Sequence, residues 1–206
     1  TAEKKDSQGL CFIGKVKLPD FLQQKLKSKK GKIVKILSEN KMYFDKDLEN
    51  FSIENLTLVS KPFKYKIEDG YCVGYHSGAH FFTVGQRKGL AVGGTKDPLF
   101  VLGTDVKKNV IYVGEGKNHP GLFRKSLFIN AEDFHFVRED FFLNKKGTFK
   151  IKARIRYRQP LQQALLLFTE KGIFLIFEKK QSAITKGQFA ALYNGQELVG
   201  SGVISG

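Results

Sequence analysis

The stretch Phe149–Gln159, FKIKARIRYRQ, decides how this chain is read. Phe149, Ile151, Ala153, Ile155 and Tyr157 fall on one parity, and Lys150, Lys152, Arg154, Arg156 and Arg158 on the other. A strand turns successive side chains to opposite faces, so the pattern predicts one strand with an apolar face and a cationic face. Same-face residues repeat every ~6.7 Å, which sets five cations along a rail on the order of 27 Å. The ordinary alternative is a half-buried antiparallel strand whose cations guard an edge against aggregation. No carboxylate is interleaved among them, however, whereas a merely solvated face mixes signs. The stretch points to a polyanionic partner.

Around it lie five more strand candidates, Ser126–Val137, Leu161–Thr169, Gly172–Glu178, Gly187–Tyr193 and Glu197–Ile204. With the cationic strand they make six at short, regular spacing, which predicts a closed or nearly closed antiparallel β-barrel over residues 123–206. Asn194-Gly195 between the last two reads as a type I′ hairpin. A barrel hides most strand edges, which weakens the edge-guard explanation of the cations.

Residues 1–122 read as an N-terminal segment and a small β-rich central domain with one short helix. Leu18, Phe21, Leu22 and Leu26 form an apolar stripe with Pro19 near a first turn, so the helix is expected over 18–28. Strand-like runs follow at Gly31–Leu37, Leu56–Ile67, Tyr71–Tyr75 and His80–Gly85, and Leu99–Asp105 with Asn109–Gly116 reads as a hairpin. Ser38–Ser60 has little periodicity and is read as an irregular excursion. Lys117–Leu122, KNHPGL, is the expected domain boundary. The glycine-rich loop Gly85–Gly94 presents Arg87 and Lys88, but it lacks the Lys-Ser/Thr ending of a nucleotide P-loop and reads foremost as a tight connection.

Net charge is +15, and the cationic excess runs through both halves of the chain. That balance favours nucleic acid over a membrane surface, since no apolar run approaches the roughly 20 residues needed to span one. Two cysteines, Cys11 and Cys72, are too few for a disulfide scaffold, so a cytoplasmic location is expected. Cys11, between Leu10 and Phe12, reads as a small buried hydrophobe, although Asp6–Gln8 and Lys15 leave room for a thiolate. His76, His80, His119 and His135 show no metal-ligand spacing, and no metal site is expected.

Several segments together resemble one family. DSQGLCFIG (Asp6–Gly14), HFFTVGQRKGLAVGG (His80–Gly94), VIYVGEGKNHPGL (Val110–Leu122), RYRQ (Arg156–Gln159) and TKGQFAALYNG (Thr185–Gly195), with a closing GSGVI, are similar in order and type to the bacterial tRNA-specific 2-thiouridylases. The likeness spans nearly the whole chain apart from about residues 41–73, which then reads as an insertion. It implies the central and C-terminal domains of a sulfurtransferase that replaces oxygen by sulfur at C2 of the wobble uridine of tRNA. It implies activation by ATP, with Mg²⁺, on an N-terminal PP-loop domain whose loop motif is absent from these residues. It further implies a persulfide on Cys11, which reverses the buried reading, and a disulfide between that cysteine and a second one in the N-terminal domain. Cys72 lies outside any family motif and is not assigned that second role.

The same resemblance places tRNA contacts on Arg156, Tyr157 and Gln188 and makes Arg87 and Lys88 further candidates, while the cationic face of the strand adds Lys150, Lys152, Arg154 and Arg158. Tyr157 faces the core on strict alternation, so a bulge or strand end near Gln159 and Pro160 is required to expose it. Expected partners are tRNA and a sulfur-relay protein or cysteine desulfurase, with the protein a monomer and the fragment inactive alone. The rival expectations are a non-catalytic RNA-binding β-barrel and, more distantly, a nucleotide-binding protein using the glycine loop.

Overall fold

The computed structural model describes residues 28–43, 52–143 and 147–206. Cys11 and nearly all of the helix expected over 18–28 lie outside the described residues. The fold is mainly β, as the patterning predicts, and is built on two sheets.

The smaller sheet holds β1 (Gly31–Ile36), β2 (Gly70–His76), β3 (Leu99–Asp105) and β4 (Val110–Glu115) in the order β2-β1-β4-β3. β1 runs parallel to β4 and antiparallel to β2. Ile33, Val101, Ile111 and Val113 bury in one cluster, and Val34, Ile36, Val110 and Tyr112 in another. Adjacent residues of β1 and of β4 divide between the two clusters, so both faces of these central strands are covered, and VIYVGE reads as a near-continuous apolar run. The hairpin expected between β3 and β4 forms, closed by a hydrogen bond from Lys108 N to Asp105 Oδ1 at 2.9 Å.

The larger sheet holds β5 (Phe123–Asn130), β6 (Phe134–Phe136), β7 (Thr148–Arg154), β8 (Gln162–Thr169), β9 (Gly172–Ser182), β10 (Phe189–Asn194) and β11 (Glu197–Val203). Its order is β5-β9-β8-β7-β10-β11-β6, so the expected six strands are seven. The extra strand arises because Ser126–Val137 breaks at the turn Ala131–Asp133, where Asn130 Nδ2 donates to Asp133 Oδ2 at 2.8 Å. The two halves of that run lie on opposite edges of the sheet although one turn joins them. The sheet must therefore curl to bring its edges together, and Ser205 N donates to Phe128 O at 2.8 Å where the segment after β11 reaches β5. Leu127, Ile151, Ala153, Leu166, Leu175, Phe177 and Leu192 fill the interior.

Three local expectations are corrected. Residues 56–60, read as strand and as part of an irregular excursion, belong to helix α1 (Ile53–Ser60). Ser52 caps it by accepting from Asn55 N at 3.2 Å, Leu56, Val59 and Ser60 bury at helical spacing, and Pro62 follows its end. Leu56 packs on Phe174 and Ile176, the residues of β9 that point away from the barrel interior, which is why GIFLIF is apolar on both parities. His80–Gly85 is a 3-10 turn and loop rather than a strand. The β10–β11 turn sits one residue later than expected: Asn194 pairs with Glu197, leaving Gly195 and Gln196 as the loop, and the positive φ of +64° at Gly195 is the type II′ arrangement. A second short helix, α2 (Glu139–Phe142), packs Phe142 against the barrel core.

Between the sheets, His119 is 3% exposed and braces the junction. Its Nε2 lies 3.1 Å from Ile36 O and its Nδ1 accepts from Gly121 N at 3.2 Å, so the imidazole is the neutral Nε2–H tautomer. Burial holds its pKa below the usual value, and the same cause depresses His76, whose Nδ1 accepts from Gly78 N at 2.9 Å. Below the ordinary pKa of about 6.5 the unfolded chain binds protons that these native rings resist, so the unfolded state holds more protons. Stability is thus expected to fall as pH drops below that value, until the native pKa values are reached. Urea unfolding at pH 7.5 and 5.0 checks this; the expected difference shrinks in His119→Gln, and a flat profile between the two pH values contradicts it.

Candidate nucleic-acid interface

The cationic stretch is one strand only as far as Arg154. Ile155–Gln159 leaves the sheet as a turn in which Ile155 N donates to Gln159 Oε1 at 3.0 Å and Gln159 N to Arg156 O at 3.1 Å. The straight five-cation rail is therefore corrected to three cations on β7 and two on the turn behind it. Pro160 cannot donate to a ladder, and Gln159 is committed to the turn and to Gln181 Oε1 at 2.6 Å, which ends the strand here. The strand end also resolves the awkward parity of Tyr157, whose ring is 58% exposed.

On β7, Ile151 and Ala153 are buried, Lys150 is exposed, and Lys152 and Arg154 are half-buried. Lys152 pairs with Tyr193 of β10 and Arg154 with Ala191, and directly paired residues share a face. β10 therefore turns Phe189, Ala191 and Tyr193 toward the cations and buries Ala190 and Leu192. Arg154 sits between two rings: its Nη2 donates to Tyr193 Oη at 2.6 Å and its Nη1 to Tyr157 O at 3.0 Å, with the guanidinium 5.0 Å and 5.7 Å from the two ring centres. Arg156 reaches the other way, donating to Ser182 O at 3.1 Å and Ala183 O at 3.2 Å.

These residues surround an open depression of about 570 Å³ lined by Arg154, Arg156, Tyr157, Gln188, Phe189 and Tyr193. Gln188 is fixed there by its backbone, which accepts from Ile204 N at 2.8 Å, while its buried side-chain Oε1 has no partner among the described residues. An unsatisfied buried acceptor at the wall of a depression is a position a ligand donor can fill. Among the described residues the ion pairs are Lys35–Glu115, Arg138–Asp140 and Arg138–Glu197, so Lys150, Lys152, Arg154 and Arg156 have no carboxylate partner. Phe189, 63% exposed, and Tyr193 are functional candidates that the strand pattern of GQFAALY does not single out. The signal was present: the bulky aromatics share one parity, while Ala190 and Leu192 alone are enough for the core.

Arg87 and Lys88 do not join this depression. Arg87 lines a separate one with Gly89–Leu99, and the loop before it is braced by its own bonds, Thr83 N to Gln86 Oε1 at 3.1 Å and Gln86 Nε2 to Lys88 O at 2.9 Å. Gly85, at φ +84°, comes so near Ala183 that a Cβ on it meets the alanine Cβ at 2.5 Å. The glycine loop thus abuts the segment that Arg156 holds. Cys72 is an exposed free thiol on β2. Among the described residues no three His, Cys, Asp or Glu gather around a metal-sized space, and no helix is long and apolar enough to cross a membrane.

Two sheets, the larger with a cationic, aromatic-lined depression at one end, define the class of protein. Residues 61–115 match the tRNA methyl transferase PRC-barrel domain, and residues 126–204 the aminomethyltransferase beta-barrel domain. The tRNA-specific 2-thiouridylase of Christiangramia forsetii is 59% identical over 207 residues, covering 100% of this chain and 52% of the relative. That of Flavobacterium johnsoniae is 56% identical, with 100% and 52% covered, and that of Streptococcus pyogenes 35% identical, with 99% and 46% covered. The chain spans about half the length of these curated relatives. Its similarity to the tRNA-specific 2-thiouridylases runs over the whole chain, and both matched domains fall within it.

Proposed function

We propose that this chain supplies the tRNA-gripping surface and the sulfur-carrying cysteine of an enzyme that thiolates C2 of the wobble uridine. The observation that carries the reading is the convergence of Arg154, Arg156, Tyr157, Gln188, Phe189 and Tyr193 on one depression. Cations neutralise phosphates, rings stack on unpaired bases of any sequence, and an amide acceptor takes a base or ribose donor. Lys150, Lys152 and Arg158 extend the positive field toward the backbone of the same RNA, and Arg87 and Lys88 offer a second contact on the smaller domain.

In this reading Cys11 bears the persulfide. Its outer sulfur attacks C2 of a uridine whose oxygen has been adenylated, and AMP leaves with that oxygen. A second cysteine then attacks the Cys11 sulfur, forms a disulfide and releases the thiolated uridine. A persulfide is more readily ionised and softer than water, which suits it to this displacement. The described residues do not fit ATP, because the glycine loop ends without a Lys-Ser/Thr pair and Gln86 is spent on Thr83 N and Lys88 O. No step through the nucleotide is assigned to them, and we place ATP with Mg²⁺ on a PP-loop domain of the full-length enzyme. A sulfur-relay protein or cysteine desulfurase loads Cys11, and the enzyme acts as a monomer in the cytoplasm.

The test is the salt dependence of tRNA binding. Neutralising four to six phosphates gives log affinity a slope of roughly −3 to −5 against log salt concentration. A flat response removes the electrostatic reading of the barrel end.

A further inference from the structure

A second feature lies where the two sheets meet and shares no lining residue with the depression described above. It is a cavity of about 410 Å³ whose lining includes Tyr43, Phe63, Phe123, Arg124, Lys125 and Lys180. Its size falls within the range of small-ligand sites. The aromatic side is braced: Tyr43 meets Phe63 edge-on at 4.9 Å and His119 at 5.4 Å, and its hydroxyl lies 3.3 Å from that of Tyr65. Burial pushes the Tyr43 phenol up to about 12, so it offers no negative charge at neutral pH.

The cationic side is unusual. Arg124 is 8% exposed, and its guanidinium donates to Ser60 O at the end of α1 and to Ile184 O at 2.6 Å. Both acceptors are neutral carbonyls, and among the described residues no carboxylate pairs with it. A buried cation without a counter-charge is costly, and two acceptors leave three of its five N–H donors for something else. Lys125 sits where the β5–β9 ladder is interrupted: Arg124 pairs with Gln181 but Ser126 with Ile176, so residues 177–180 stand opposite Lys125 alone. Irregularities of this kind re-aim side chains and gather near functional sites, and here Lys125 and Lys180 both line the cavity.

We propose that this cavity binds a nucleoside monophosphate unit, its phosphate held by Arg124, Lys125 and Lys180 and its base laid against the Tyr43–Phe63 wall. Arg124 supplies a pre-organised fork, the lysines add positive charge beside it, and rings accept any base. A free nucleotide and a nucleotide within a bound RNA present the same chemistry, so the site stands independently of the tRNA reading.

The test is calorimetric titration of the full chain with uridine 5′-monophosphate, inorganic phosphate and uridine. The monophosphate is expected to bind saturably and more tightly than either fragment. Lys125→Ala/Lys180→Ala is expected to weaken it about tenfold or more while far-UV circular dichroism stays that of the parent. Phe189→Ala, at the other depression, is expected to bind it as the parent does. Absence of saturable binding at millimolar concentration, equal affinity in the double variant, or loss of binding in Phe189→Ala each overturns the assignment. Added tRNA then separates the sources: release of the monophosphate identifies a nucleotide of the RNA as occupant, and its retention identifies a free nucleotide.

Discussion

Replacing Cys11 by Ser in the full-length enzyme is expected to reduce tRNA thiolation to background while leaving tRNA affinity within about twofold of the parent. The two halves of that result come from different chemistry. Serine keeps the size of the side chain, but an alkoxide cannot hold the terminal sulfur of a persulfide or release it by thiol–disulfide exchange. On the proposed function affinity comes instead from phosphate neutralisation and base stacking by the groups on β7, the turn after it and β10 that line the depression. Sulfur content of digested tRNA and a filter-binding isotherm read the two quantities separately. Intact-mass analysis of the parent after exposure to a sulfur donor adds a third, a gain of one sulfur that the variant lacks. Sustained thiolation by Cys11→Ser rejects this cysteine as the carrier, and a parent that gains no sulfur favours a non-catalytic RNA-binding barrel.

Much of the architecture was legible because it depends on alternation. Phe149–Arg154 buries one parity and exposes or half-exposes the other, as its sequence demands, and the β3–β4 hairpin falls between the expected runs. What alternation cannot show is where a strand stops pairing. Ile155 and Tyr157 keep the parity of a strand, yet Gln159 closes a turn on Ile155 N and the ladder ends. Ser126–Val137 likewise has an apolar run on each side of Asn130–Asp133, and only the pairing shows that the chain moves there from one edge of the sheet to the other. Leu56–Ser60 was misread for a third reason. Four or five residues rich in Leu and Val suit a strand or a helix equally well, and only the Ser52 cap and the packing of Leu56 on β9 decide between them. The candidate interface shows the same division. Arg156, Tyr157 and Gln188 come from motif likeness, but their juxtaposition with Phe189 and Tyr193 depends on β10 lying beside β7, a long-range pairing that no local pattern records.

That pairing makes the aromatic residues the most informative targets. Tyr157→Ala/Phe189→Ala is expected to weaken tRNA binding by roughly 30-fold or more, since each stacked base is worth about 1–3 kcal/mol. Both rings are more than half exposed, so their removal leaves the core intact and the thermal transition near that of the parent. Stacking involves no counterion release, so the double variant should lose affinity by the same factor at every salt concentration and keep the parent slope. Lys150→Ala/Lys152→Ala should do the reverse, flattening the slope by roughly 0.7 to 0.9 for each phosphate contact removed. Isotherms for parent and both variants at three salt concentrations separate the two contributions. If the aromatic variant flattens the slope, or binds as tightly as the parent, the rings are not a stacking platform and the depression holds RNA by charge alone.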